Sequence, residues 1–171
     1  MRTRKLCVMA LLTAVALGIF ILEAQIPPIV PISGVKLGLA NIITVYAVFA
    51  LGWKEGAGIL TVRIFLGAVF SGNLGSIFYS AGGGLLAILT TIGLKRILTE
   101  NQIWVAGCLA AIAHGIGQMA VAVAITETPA LVLYLPILIL SGVITGVFTG
   151  LCAQVLIKRG KNLWKTIFRE T

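Results

Sequence analysis

Residues 103–125 read IWVAGCLAAIAHGIGQMAVAVAI, an apolar run without Asp, Glu, Lys or Arg. A helix needs about 20 mostly apolar residues to cross a hydrocarbon core roughly 30 Å thick, so this run predicts a transmembrane helix. Further apolar runs lie before and after this one and predict additional helices. The runs of the second and third helices are short, and we interpret these helices as extending into their flanking segments. The six predicted helices are Leu6–Leu22, Leu37–Leu51, Gly56–Phe70, Ile77–Leu94, Ile103–Ile125 and Leu131–Ile157.

The composition excludes an ordinary soluble domain. Hydrophobic residues make up 59% of the 171 residues and charged residues only 11%, whereas soluble domains carry about a quarter charged residues. A chain of this size cannot bury so much apolar surface within itself. We therefore predict a single all-α, polytopic membrane domain over residues 1–171. The cysteines Cys7, Cys108 and Cys152 lie far apart, which argues against a metal site or a disulfide framework.

The basic residues predict the orientation of this domain. Lysine and arginine precede the first predicted helix, lie between the second and third, and follow the fourth and the sixth. The opposite loops hold only Lys36, and Arg63 lies within the third helix. This asymmetry predicts a protein of the cell membrane with both termini on the cytoplasmic side. The net charge of +8 is explained by this topology, so no nucleic-acid partner is predicted.

The two ends of the chain have separate interpretations. The start, MRTRKL followed by an apolar run, resembles a signal peptide. However, the run continues to Leu22 and Glu23 without a small-residue cleavage site, so we predict a retained first helix. The tail from Lys158 to Thr171 is basic and amphipathic, which is typical of a helix lying on an anionic membrane surface.

The first outer loop, Glu23–Lys36, contains three prolines and is moderately apolar. Proline favours an extended, stiff segment and excludes a regular helix. Two interpretations remain open at this point, a rigid connector or a lid that packs on the outer face of the protein.

Polar residues within or beside the apolar runs are the candidates for a binding site. A charged side chain at mid-helix costs roughly 2.5–3.5 kcal/mol on insertion scales, so Arg63 is expected to face a cavity or a partner, unless it snorkels to an interface. His114 and Gln118 lie one turn apart on one helix face, although a helix–helix hydrogen bond is the structural alternative. With Lys36 and Asn41 they predict a cationic, outward-facing pocket for an anionic or strongly polar ligand.

Small residues recur at helical spacing in two predicted helices. Gly142, Gly146 and Gly150 predict close internal packing of the sixth helix, and Ala10 and Ala14 form a small-xxx-small pair in the first. No chemical motif accompanies them. The chain has no phosphate-binding P-loop, no Cys/His cluster, no Ser/His/acid arrangement and no Asp, so we predict neither an enzyme nor a cofactor.

Three segments carry a resemblance to a known family: GVKLGLAN at 34–41, AHGIGQ at 113–118, and YLP with SGVITG within 134–146. They resemble the Gx transporter family, also labelled heptaprenyl diphosphate synthase component I. That family is similar in size and layout to the substrate-binding S components of energy-coupling factor (ECF) transporters. The resemblance implies an S-component-like bundle that binds a vitamin-like molecule on its outer side. It also implies docking, through Ala10 and Ala14, on a transmembrane coupling subunit with cytoplasmic ATPases.

Two alternatives stay beside this interpretation. Prenyl diphosphate synthases bind Mg²⁺–diphosphate through Asp-rich motifs, because hard cations prefer carboxylate oxygens. A chain without Asp cannot supply that site, so a synthase role would be that of a non-catalytic membrane component. The third alternative is a solitary channel or small transporter.

Overall fold

The computed structural model describes residues 2–26 and 36–168, with side chains described for residues 3–26 and 36–160. The predicted all-α architecture of six helices is confirmed, and no strand occurs in these ranges. A 3₁₀ segment, Pro129–Tyr134, precedes the last helix. The helices are α1 (Arg2–Glu23), α2 (Asn41–Ala50), α3 (Trp53–Phe70), α4 (Ser76–Lys95), α5 (Ile103–Thr126) and α6 (Leu135–Phe168).

Among the described residues, four stretches are long and apolar enough to cross a membrane: Thr3–Glu23, Ser76–Lys95, Ile103–Thr126 and Pro129–Gly160. The other two helices differ from complete spans in different ways. α3 carries three charged side chains, Lys54, Glu55 and Arg63. α2 has 10 residues, which rise about 15 Å, roughly half of a hydrocarbon core.

The predicted start of the second helix, Leu37, is wrong, because α2 begins at Asn41. Gly38 has a φ of +83°, a left-handed conformation that a right-handed helix cannot include. Its carbonyl accepts the Asn41 N–H at 2.9 Å, which starts α2. Because α2 contacts all five other helices, this short helix lies in the middle of the bundle. In the described backbone directly before it, Gly38 and Ala40 are buried by protein, as irregular backbone in a membrane interior requires.

Glycines set the packing of α5 between α4 and α6, the two helices with which it makes its most extensive contacts. A Cβ on Gly107 would lie 2.4 Å from the Gly150 Cα, and one on Gly146 would lie 2.7 Å from the Cys108 Cα. The predicted internal role of the small residues in the sixth helix is thus confirmed. On the α4 side, a Cβ on Gly117 would lie 2.4 Å from the carbonyl oxygen of Gly82.

Basic residues meet at one end of the bundle. The Lys5 ammonium forms a 2.6 Å ion pair with Glu55, which joins the first turns of α1 and α3. The Lys95 ammonium donates to the Val48 carbonyl at 2.6 Å, so the last turn of α4 caps the last turn of α2. These contacts agree with the predicted serpentine, in which the clusters of cations share one side.

The sixth helix differs from its predicted bounds at both ends. Residues 131–134 belong to the 3₁₀ segment, and α6 continues past Ile157 to Phe168. The predicted tail is therefore helical over 158–168 and continuous with the span. The side chains of 161–168, on which its amphipathic face rests, lie outside the described residues. Residues 27–35 do as well, and with them most of the predicted lid or connector.

Candidate functional site

Six polar residues come together where the chain passes from α1 into α2. This polar cluster comprises all five predicted site residues and one acidic residue: Glu23, Lys36, Asn41, Arg63, His114 and Gln118. Five of its side chains are at least 95% buried, and Lys36 is half-buried. α1, α2, α3 and α5 each contribute at least one of these residues, and Lys36 lies in the irregular segment before α2.

Glu23 holds the backbone that leads into α2. Its side chain is 4% exposed, and its Oε1 accepts the Gly38 N–H at 2.5 Å. The prediction placed Glu23 in the outer loop, but it is the last residue of α1. Because Glu23 follows Phe20 by three residues, both side chains lie on the same, inward face of that helix.

Phe20 connects the two cations of the polar cluster. The Lys36 Nζ lies 3.4 Å from the centroid of the Phe20 ring, and the Arg63 Cζ lies 5.6 Å from it. Both distances are within the range of cation–π attraction. A Cβ on Gly67 would lie 2.7 Å from the Phe20 ring, so this glycine leaves the space that the ring occupies.

The polar cluster contains two basic side chains, Arg63 and Lys36, and one acidic side chain, Glu23, which interacts electrostatically with both. In the described part of the chain, however, Glu23 makes no direct salt bridge with either cation. Partial burial lowers the pKa of the Lys36 amine, Glu23 opposes this shift, and the Arg63 charge adds to it. The net charge is positive, as predicted, but smaller than the five predicted residues alone would give.

His114 is held between two glycine backbones. A Cβ on Gly38 would lie 3.0 Å from the His114 Cδ2, and a Cβ on Gly83 would lie 2.8 Å from its Cε1 and Nδ1. Gln118, one turn later in α5, accepts the Lys36 N–H at 3.2 Å. The run Gly82–Gly84 therefore acts in helix packing, where it leaves room for the polar side chains of α5.

Several buried polar atoms of the polar cluster have no hydrogen-bond partner among the described residues. They are Nε and Nη2 of Arg63, Nδ2 and Oδ1 of Asn41, and Nδ1 of His114. The His114 Nδ1 lies beside the Gly83 backbone without a hydrogen bond of regular geometry. Arg63 is 3% exposed, so it does not snorkel to an interface. Because buried polar groups are nearly always paired in proteins, this concentration of unpaired atoms makes the polar cluster the candidate binding site.

The predicted docking residues lie away from the polar cluster. Ala10 and Ala14 are exposed on α1, and Gly18 continues their row with nothing near its missing side chain. The opposite face of the same helix is buried at Thr13 and Ala16. α1 therefore presents small residues outward and carries Phe20 and Glu23 inward.

Two residues of the region were missed from the sequence, Phe20 and Glu23. A phenylalanine within an apolar run has no distinguishing signal. Glu23 had one, because an acidic residue directly after a transmembrane run is unusual, and it precedes Lys36 and Arg63 in a chain with only five acidic residues. Because Glu23 was predicted to lie in a loop, its position on the inward face of α1 was not recognised.

The fold and the polar cluster define a small helical membrane protein with a buried, partly unpaired polar centre. A sequence profile of the family described as heptaprenyl diphosphate synthase component I matches residues 12–156. The chain belongs to this family, as its resemblance predicted. No curated protein and no solved structure matches the chain.

Replacing Gly83 with alanine is expected to disturb the polar cluster selectively. The new methyl group would lie 2.8 Å from both the Gln118 Cγ and the His114 ring, so these side chains must move. We expect anion binding to weaken about tenfold, equivalent to about 1.4 kcal/mol, while the protein still folds. The measurement is the anion-dependent rise in unfolding temperature in detergent. Gly93→Ala, in open space on the same helix, is the matched control. Wild-type binding by Gly83→Ala would contradict the predicted role of His114 and Gln118 in ligand binding.

Proposed function

We propose that the chain is the substrate-binding membrane subunit of an ECF-type transporter that takes up a small vitamin-like or anionic molecule. The observation that carries this proposal is the buried guanidinium of Arg63, whose Nε and Nη2 lack partners among the described residues. A guanidinium inside a membrane protein is costly unless something compensates its charge. A ligand anion would supply that compensation.

Membership in the family supports a second candidate function. The family's description refers to a component of a prenyl diphosphate synthase. The whole sequence lacks Asp, so catalysis through a carboxylate-bound Mg²⁺–diphosphate would require another protein. We therefore propose that the chain is not itself an enzyme, and that any part in prenyl diphosphate synthesis is that of a membrane partner.

The proposed location is the cell membrane, with both termini in the cytoplasm and the polar cluster opening toward the outside. The asymmetry of basic residues supports this orientation. The Lys5–Glu55 ion pair and the Lys95–Val48 contact lie at the end of the bundle opposite Glu23. A ligand captured at the polar cluster would then enter from the side that lacks the cations.

The proposed transporter requires partners that hydrolyse ATP, and α1 is the proposed docking surface. Ala10 and Ala14 are exposed, and small residues allow the backbone of a partner helix to approach closely in lipid. Because the inward face of α1 carries Phe20 and Glu23, movement of this helix on a partner would also move one wall of the polar cluster.

Co-purification tests the proposed partners. The tagged protein is isolated from its native cell in mild detergent, and the proteins that accompany it are identified by mass spectrometry. We expect a membrane coupling subunit with ATPases, and we expect Ala10→Leu to reduce its recovery at least severalfold, because a larger side chain prevents close helix approach. Ala120→Leu, at an exposed position of α5, is the control. Recovery of an Asp-rich prenyl synthase subunit without ATPases would favour the second candidate function instead.

A further inference from the structure

The unpaired atoms of the polar cluster also describe the ligand. We propose that the polar cluster binds a small monocarboxylate. This ligand also carries an amide-like group, with a hydrogen-bond donor and an acceptor side by side. The inference rests on the function proposed above and narrows its substrate class. It depends on two side chains, Arg63 and Asn41, and on the charge around them.

Arg63 offers one complete edge of its guanidinium. Nε and Nη2 are the two nitrogens without partners among the described residues, and their N–H bonds point in nearly the same direction. This edge matches the spacing of the two oxygens of a carboxylate and pairs with them through two parallel hydrogen bonds. An uncharged ligand would leave the net positive formal charge of the polar cluster unbalanced.

The surrounding charges favour a monoanion. Counted at their formal charges, Arg63 and Lys36 contribute two positive charges, and Glu23 contributes one negative charge. The Glu23 carboxylate is occupied by the Gly38 N–H, and the Lys36 ammonium lies on the Phe20 ring. One net positive charge neutralises one carboxylate. A diphosphate would bring more negative charge than the polar cluster can balance.

Asn41 accounts for the amide-like group of the proposed ligand. Both its Nδ2 and its Oδ1 lack partners among the described residues, and its side chain is 3% exposed. A carboxylate could accept from Nδ2 but would leave Oδ1 without a donor. An amide, lactam or ureide satisfies both atoms in one plane. A Cβ built on Gly38 would lie 3.0 Å from both the Asn41 Nδ2 and the His114 Cδ2, so the Asn41 amide and the His114 ring both lie beside Gly38.

A series of small probes tests the inference on the purified full-length protein in detergent. The probes are N-acetylglycine, N-acetyl-β-alanine and N-acetyl-4-aminobutyrate, which combine a carboxylate with an amide at three separations. Butyrate, N-methylacetamide and inorganic phosphate are the comparison compounds. We expect at least one N-acetyl amino acid to raise the unfolding temperature at a concentration at least tenfold lower than any comparison compound does.

Two variants test separately the requirement for a carboxylate and the requirement for an amide-like group. Arg63→Met should weaken stabilisation by every carboxylate, so that at least a tenfold higher concentration is needed for the same rise in unfolding temperature. Asn41→Ser should bring the best N-acetyl amino acid to within about threefold of butyrate. The series of probes on the wild-type protein tests the preference for a carboxylate with an amide even if a variant fails to fold.

The outcomes separate this inference from the proposed function. Equal stabilisation by butyrate and the N-acetyl amino acids, lost in Arg63→Met, would overturn the amide requirement and leave the anion-binding function in place. A preference for phosphate would overturn the carboxylate assignment. If no anion stabilises the wild-type protein more than Arg63→Met, both proposals are overturned.

Discussion

Arg63→Met is expected to weaken anion binding by one to two orders of magnitude while leaving the ligand-free protein as stable as the wild type or more stable. Loss of a two-point, charge-assisted hydrogen bond removes about 1.5–3 kcal/mol, a decrease in affinity of roughly 10- to 100-fold. Without ligand, however, the 3% exposed guanidinium is a buried charge with unpaired nitrogens. An apolar side chain of similar length relieves that penalty. A gain in stability with a loss of binding is typical of a residue retained for function.

Thermal unfolding with and without a carboxylate probe measures both effects in one experiment. Lys54→Met is the control, because it removes an exposed cation from the first turn of the same helix. Lys54→Met should change neither the stability of the ligand-free protein nor the binding of the carboxylate probe appreciably. A large loss of stability in ligand-free Arg63→Met, with anion binding retained, would mean that Arg63 has a structural role and that the ligand lies elsewhere.

Gly107→Ala is expected to have the largest effect on folding. Its new methyl group would lie 2.4 Å from the Gly150 Cα and 2.8 Å from the Gly146 carbonyl oxygen. Backbone atoms cannot turn away as side chains do, so α5 and α6 must separate along their contact. Such overpacking costs roughly 1–3 kcal/mol and occasionally more. Because α5 also carries His114 and Gln118, anion binding should be lost together with stability.

Gly93→Ala provides a control of opposite sign. Gly93 is exposed on α4, and nothing lies within 4 Å of a Cβ built on it. Alanine is favoured over glycine inside a helix by about 0.5–1 kcal/mol, so this variant should be unchanged or slightly stabilised. The two unfolding temperatures are compared in the same detergent. Equal unfolding temperatures for Gly107→Ala and Gly93→Ala would contradict the close contact of α5 with α6.

The helices could be predicted because lipid imposes a simple requirement, a long apolar run bounded by charges. α1, α4 and α5 lie close to their predicted bounds for this reason. α2 does not, because its start depends on a tertiary contact, the hydrogen bond from the Gly38 N–H to Glu23. The 3₁₀ segment Pro129–Tyr134 was missed because its residues are as apolar as those of the helix that follows.

The polar cluster was predicted for a related reason, since polar side chains are rare in apolar runs and are easily recognised there. Arg63, His114 and Gln118 were found in this way, and the structure brings them together. Glu23 and Phe20 were missed because their importance depends on which face of α1 points inward. That face is set by packing against α2 and α3, which the sequence of α1 alone does not reveal.

The most direct test of the account is the small-molecule content of the protein itself. Wild-type protein and Arg63→Met are purified in parallel from native membranes in mild detergent, denatured, and their extracts are compared by mass spectrometry. The account predicts a small carboxylate in the wild-type extract, in an amount comparable to the protein, and its loss from Arg63→Met. The same anion in equal amounts from both proteins, or no anion enriched with the wild type, would contradict the assignment of this chain as an anion-binding subunit.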